Sequence, residues 1–130
     1  MREWVMIGVP SSAGAHHAGQ ERAPAALRAA GLIGRLRAAG LPVADAGDLP
    51  VVAFEADHDH PGARNLAAVA GVARRVADAV AAVVASGRLP LVVGGDCTIT
   101  LGVIAGFRRV HPDVGLPCGY SWRTSRPPAW

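Results

Sequence analysis

Asp96 and Cys97 stand where a buried strand gives way to a helix. The stretch reads "LVVGGDCTITLG" (91–102): an aliphatic run, two glycines, a carboxylate, a thiol, then a helical pattern. In open parallel sheets, ligands collect beyond the carboxyl ends of the strands. Cys97 also precedes a helix, a setting in which reactive thiols occur. Three readings stay open on the residues alone. Gly94–Gly95 could be a tight turn with Asp96 as a helix cap and Cys97 as a small buried filler. Cys97 could be a nucleophile on a strand–helix elbow, although Ile99 is bulkier than such an elbow wants. Cys97 could be a metal ligand, which requires further donors at the same sheet edge.

The other polar clusters are less specific. "DHDH" (57–60) alternates carboxylate and imidazole but has no matched set of partners, so it reads as a solvated loop. His16 and His17 fall in a glycine- and serine-containing loop, "SSAGAHHAGQER" (11–22). "GGDCTITLG" has no lysine and the wrong glycine spacing for a phosphate loop.

The elements that must position these residues alternate. "EWVMIGVP" (3–10) predicts a short buried strand ended by proline, and 23–40 predicts one helix with Pro24 in its first turn and Leu27, Gly31 and Leu36 near one face. A second strand is expected within 41–49, and 51–63 is a connector. Leu66, Val69, Val72, Val76, Val80 and Val83 recur at three and four, which predicts a helix over 65–86 capped by Asn65 and ended by Gly87. "RLPLVVGG" (88–95) is apolar on both faces, as a central parallel strand is. A helix is expected over 98–110, with Gly102 and Gly106 packing closely on the sheet, and "DVGL" (113–116) starts like a fourth strand. This order argues an α/β domain with a mostly parallel sheet.

Composition narrows the function classes. Hydrophobic residues make up 51% and charged residues 18%, which argues against disorder. The net charge of +3 comes entirely from scattered arginines, and aromatic residues are sparse, so no nucleic-acid partner is expected. No apolar run approaches the roughly 20 residues of a membrane span, and a cytoplasmic location is the default expectation. Two cysteines, Cys97 and Cys118, make no disulfide framework.

Taken in order, "IGVPSSAGAHHAGQERAPAALRAAGL" (7–32), "RNLAAVAGVARRVADAVAAVVASGRLPLVVGGDC" (64–97) and "VVGGDCTITLGVIAG" (92–106) resemble the opening of the arginase/agmatinase/formiminoglutamase family, the ureohydrolases. The resemblance implies a three-layer α/β/α fold with a mostly parallel sheet, incomplete in this chain. It implies a manganese-dependent hydrolase with two Mn2+ about 3.5–4 Å apart, acting on a small guanidino or amidino substrate. Most of the family reads Gly-Gly-Asp-His-Ser where this chain reads Gly-Gly-Asp-Cys-Thr, so Cys97 takes the position of the first metal-binding histidine. Asp96 then shapes the turn behind that ligand. Family members commonly assemble, so a homo-oligomer is compatible with the resemblance.

The family's next motif, Asp-Ala-His-x-Asp, is expected just after "HPDVGL", where the chain instead reads "PCGYSWRTSRPPAW" (117–130). Residues 1–116 therefore read as the N-terminal part of an arginase-like domain and 117–130 as a divergent, poorly ordered tail. On that reading the protein is truncated and does not assemble the two-metal centre alone. A non-catalytic α/β module that binds a partner or ligand, and a Cys97-nucleophile hydrolase, are the alternatives.

Overall fold

The computed structural model describes residues 1–115. The expected start of a strand at 113–116 is not seen as far as it can be followed: residues 111–115 turn, with the Val114 N–H donating to the His111 carbonyl at 3.2 Å. Leu116, Cys118 and the expectations for the tail lie outside the described residues.

Among the described residues, three parallel strands form the sheet: β1 (Trp4–Val9), β2 (Val43–Asp48) and β3 (Leu89–Gly94), in the order β2-β1-β3. Side chains alternate across a strand, so β1 feeds both faces. Val5, Ile7 and Val9 enter one core, and Met6 enters the other. The strand expected to be central, β3, lies at an edge among the described residues, and β1 takes the centre. Its apolar residues are mostly half-buried, with only Val93 fully covered.

Helices α3 (Leu66–Ala85) and α4 (Ile99–Val110) lie against the Val5–Ile7–Val9 face. The valine stripe explains this: Val72, Val76, Val80 and Val83 are buried in that core. Leu66, expected on the same face, is 65% exposed, because it sits at the first residue of the helix beyond the sheet contact. Gly102 and Gly106 pack closely, but against α3 and not the sheet. A Cβ at 102 would lie 2.5 Å from the Ala73 carbonyl oxygen, and one at 106 would lie 2.7 Å from that of Ala77.

On the other face, the helix expected over 23–40 is two: α1 (Ala23–Ala29) and α2 (Leu32–Ala38). Gly31 has φ 80°, a left-handed conformation that ends α1 and re-aims the chain. The turn lets Leu32, Ile33 and Leu36 cover Met6, Val43 and Val93. The result is an α/β/α three-layer sandwich. Among the described residues, no helix is long and apolar enough to cross a membrane.

Candidate functional site

Because the three strands are parallel, the segments that follow them meet at one end of the sheet: the loop after β1, the connector after β2 and the turn after β3. The turn after β3 is stitched to the loop after β1 through backbone. The Gly95 N–H donates to the Val9 carbonyl at 3.3 Å, and the Asp96 N–H to the Ser11 carbonyl at 3.0 Å. A Cβ on Gly95 would collide with the Ser11 oxygen, so two backbones touch here with no side chain between them.

Asp96 is 4% exposed. Its carboxylate accepts the Thr98 N–H at 2.9 Å, the Thr98 hydroxyl, and the Gly14 N–H at 3.0 Å. A buried carboxylate needs such partners. Cys97, one residue on, carries a free and exposed thiol. The buried-filler reading of Cys97 is therefore overturned: the turn aims Asp96 inward and leaves its neighbour outside. No histidine or carboxylate is hydrogen-bonded to the Cys97 thiol among the described residues, so nothing there is placed to act as its base.

The loop after β1 has two more anchors. The fully buried Ser12 donates its hydroxyl to Glu21, and the Glu21 N–H donates back to Ser12 Oγ at 3.0 Å. The Gly19 N–H donates to the same carboxylate at 2.7 Å. These hydrogen bonds, the Ser12 hydroxyl first, hold the Glu21 carboxyl below its ordinary value. Asn65 supplies the second anchor. Its side-chain amide donates to the Ala13 carbonyl at 3.3 Å and the Glu55 carbonyl at 2.7 Å.

That corrects the capping role expected of Asn65. It has φ 53°, and its side chain makes no cap hydrogen bond. Asp57 serves the head of α3 instead, accepting the Asn65 N–H at 2.9 Å. The Asp57 carboxyl lies below its ordinary value because of that N–H first and His60 second. So the first residue of "DHDH" organises the connector, with His60 Nδ1 3.0 Å from its carboxylate. His16 accepts a hydrogen bond from Arg64 at 2.7 Å through Nδ1, which brings the exposed histidine loop against the connector.

Among the described residues, no group of three or more His, Cys, Asp or Glu is arranged to hold a metal ion. The donor set at the strand ends explains this. Cys97 is a single soft donor, and the Asp96 oxygens are already engaged. Residues 1–115 do not by themselves fit a two-metal centre.

The family model of the arginases matches residues 2–116, nearly the whole described chain. The chain belongs to the arginase family. It is 39% identical to human arginase-1 over 111 residues, and 38% identical to the arginase of Bacillus caldovelox over 118 residues. These matches cover 85% and 89% of this chain but 34% and 40% of those proteins, so the chain spans little more than a third of their length. The crystal structure of Bacillus cereus arginase superposes with a TM-score of 0.73 at 36% identity, covering 84% of this chain and 35% of that one. The Bacillus caldovelox enzyme gives 0.70 at 38% identity, covering 85% and 38%. The arginase-like α/β fold read from the sequence is thus the fold observed.

The sequence pointed to Asp96 and Cys97 but not to Gly14, Ser12, Glu21 or the bridging role of Asn65. Asp96 and Gly14 are 82 residues apart, and no local period or spacing links them. The one local signal was the small-residue run "SSAG" directly after a strand.

Proposed function

We propose that this chain contributes the first strands of a ureohydrolase, an enzyme that hydrolyses a guanidino or amidino C–N bond. The observation that carries this reading is the family match over residues 2–116, in register with arginases identical at more than a third of the aligned positions. In that reaction the oxygen of water bonds to the guanidino carbon, and the bond from that carbon to the substituted nitrogen breaks. The departing amine takes a proton, and urea is released.

The part assigned to this chain is one ligand position, Cys97, held by Asp96 at the carboxyl end of β3. The manganese pair of the whole enzyme needs donors that residues 1–115 do not supply, so no step of the reaction is routed through these residues alone. Thiolate is softer than imidazole and suits manganese less well. Cys97→His should therefore strengthen any manganese-dependent activity to which this position contributes.

The test is a chimera joining residues 1–115 to the remaining part of Bacillus caldovelox arginase, assayed for urea release from arginine, agmatine and guanidino acids with Mn2+. Urea release that rises on Cys97→His supports the reading. A chimera that folds and binds Mn2+, yet releases no urea with either residue at 97, rules it out.

A further inference from the structure

We propose that Asp96 is a positioning residue, whose carboxylate clamps the loop after β1 to the turn that carries Cys97, and that Gly14 is what lets the clamp close. The proposal rests on the reading of Cys97 as a residue of the reaction site, and it adds the device that fixes where that residue stands.

Three observations carry it. The first is the choice of donors. Two of the three donors to the Asp96 carboxylate come from Thr98, within the turn itself, and would suffice to shape it. The third, the Gly14 N–H at 3.0 Å, comes from a different strand end. A carboxylate that is 4% exposed gains more from such a donor than one in water does.

The second is the space. A Cβ on Gly14 would collide with the Thr98 methyl and lie 2.8 Å from Asp96 Oδ1. A side chain at 14 would force the Thr98 and Asp96 side chains to shift from the positions in which the hydrogen bond is made. The φ of Gly14 is not in the left-handed region, so the close approach and not a special backbone conformation calls for glycine.

The third is the sequence of anchors along the loop. Ser12 is held by Glu21, the Ala13 carbonyl by Asn65, and the Gly14 N–H by Asp96. Three consecutive residues are gripped from three separate parts of the fold. Of these three anchors, Asp96 alone belongs to the turn that carries Cys97, so its side chain adds to the backbone bond from the Asp96 N–H to Ser11 a second link between this loop and the residue before the thiol.

The test uses the 130-residue chain, 15N-labelled, as wild type, Asp96→Ala, Asp96→Asn, Gly14→Ala and the double variant Asp96→Ala/Gly14→Ala. Val80→Ala serves as a control that lowers stability from the far side of the core. Two quantities are read on folded protein: amide exchange at Gly14 and Thr98, and the rate of Cys97 alkylation by iodoacetamide, with Cys118 followed separately by peptide mass. In Asp96→Ala, exchange at Gly14 should quicken about tenfold or more, the loss expected for a hydrogen bond to a charged group. Cys97 alkylation should shift in the same direction in Asp96→Ala and Gly14→Ala, and the double variant should go no further than the larger single change. Asp96→Asn, which keeps an oxygen acceptor, should fall between wild type and Asp96→Ala.

If Asp96→Ala does not fold, Gly14→Ala and Asp96→Asn carry the same comparison. The proposal is overturned if Cys97 alkylation moves no more than in Val80→Ala, or if the two single effects add. Neither readout needs catalysis. A chimera that folds and binds Mn2+ but releases no urea with either residue at 97 would end the hydrolase reading and leave the clamp standing, whereas a failed clamp would leave urea release to be judged on its own.

Discussion

Glycine brings backbone against backbone in two places, and the surroundings differ. Between α3 and α4, Gly102 and Gly106 sit over Ala73, Val76, Ala77 and Val80, and nearly everything nearby is apolar. At the strand ends, Gly95 lies on the carbonyls of Val9 and Ser11, and Gly14 lies on Asp96 and Thr98. The first contact buries aliphatic surface and is repeated one helical turn on. The second buries a carboxylate and spends a chain of hydrogen bonds on fixing one turn. Burial without direction stabilises a fold, whereas directed polar contacts fix atoms in place. The helix contact should therefore govern stability, and the strand-end contact should govern the geometry at Cys97.

The largest expected effect falls on the helix pair. In Gly106→Val the new Cβ would stand 2.7 Å from the Ala77 oxygen and 2.8 Å from Val80 Cβ, so the helices must separate. Overpacking of this kind costs about 3 kcal/mol. A urea titration should show the midpoint falling steeply, while Cys97 alkylation in the protein that remains folded stays at the wild-type rate. A Cys97 rate that tracked the loss of stability would erase the distinction between the two contacts.

Gly95→Ala comes next and should act on both quantities. Its Cβ would strike the Ser11 oxygen and lie 2.8 Å from that of Val9, which are backbone atoms with little room to yield. A cost of about 2 kcal/mol is expected. Unlike Gly106→Val, this variant should also alter Cys97 alkylation, because the ends of β1 and β3 are pushed apart. An unchanged Cys97 rate would mean that the turn is held by α4 alone.

The two regions were not equally legible in the sequence. Helix α3 was, because Val72, Val76, Val80 and Val83 repeat at the period of a helix lying on a sheet. The glycine pair on α4 was legible as a close contact, but its partner was not, since spacing tells that a face is small and not what lies against it. The break at Gly31 was half legible: Gly31 and Gly34 weaken the alanine- and leucine-rich helix pattern of 23–40, but only the left-handed φ at 31 shows that the chain turns there. The apolar run of β3 reads as a strand with neighbours on both sides, and among the described residues it has one, β1. At the strand ends, Asp96 and Cys97 stood out by type. Their joint with Gly14, and the use of Asn65 as a bridge, depend on contacts 82 and 52 residues apart, which no local pattern encodes.

A third polar arrangement, on the α1 face, sharpens the contrast through pH. Arg28 donates to both oxygens of Asp45, at 2.8 and 2.9 Å, and also to Asp48. The Arg28 hydrogen bonds are the first cause of an Asp45 carboxyl held below its ordinary value. A carboxyl depressed in the folded state adds stability above its unfolded pKa, about 3.9, and loses it as pH falls through the folded value. Wild type should therefore lose stability below about pH 4 by more than Asp45→Asn does, and the two should run parallel above that pH. The Asp45 side chain is 31% exposed, so the difference at neutral pH should be about 1 kcal/mol or less. Denaturant midpoints at pH 3 and pH 7 read it, and Cys97 alkylation at pH 7 should not respond, because this network lies on α1 and β2, with β1 between β2 and the strand that leads to Cys97. Equal acid sensitivity in both proteins would remove Asp45 as a source of the pH dependence.

The smallest effect belongs to the surface of the helix pair itself. Arg109 on α4 donates to Asp78 on α3 at 2.6 Å, bridging the two helices that Gly102 and Gly106 bring together. Its position suggests a clasp, but its exposure argues otherwise. The two side chains are 49% and 72% exposed, so water and salt compete for both charges, and two flexible side chains must be held to keep one contact. Asp78→Asn should change the urea midpoint by less than about 0.5 kcal/mol, and by still less in 0.5 M salt. The result bears on the helix contact directly. If this pair carried 2 kcal/mol or more, the α3–α4 contact would depend on directed polar bonds as the strand ends do, and the difference between the two regions would be one of degree.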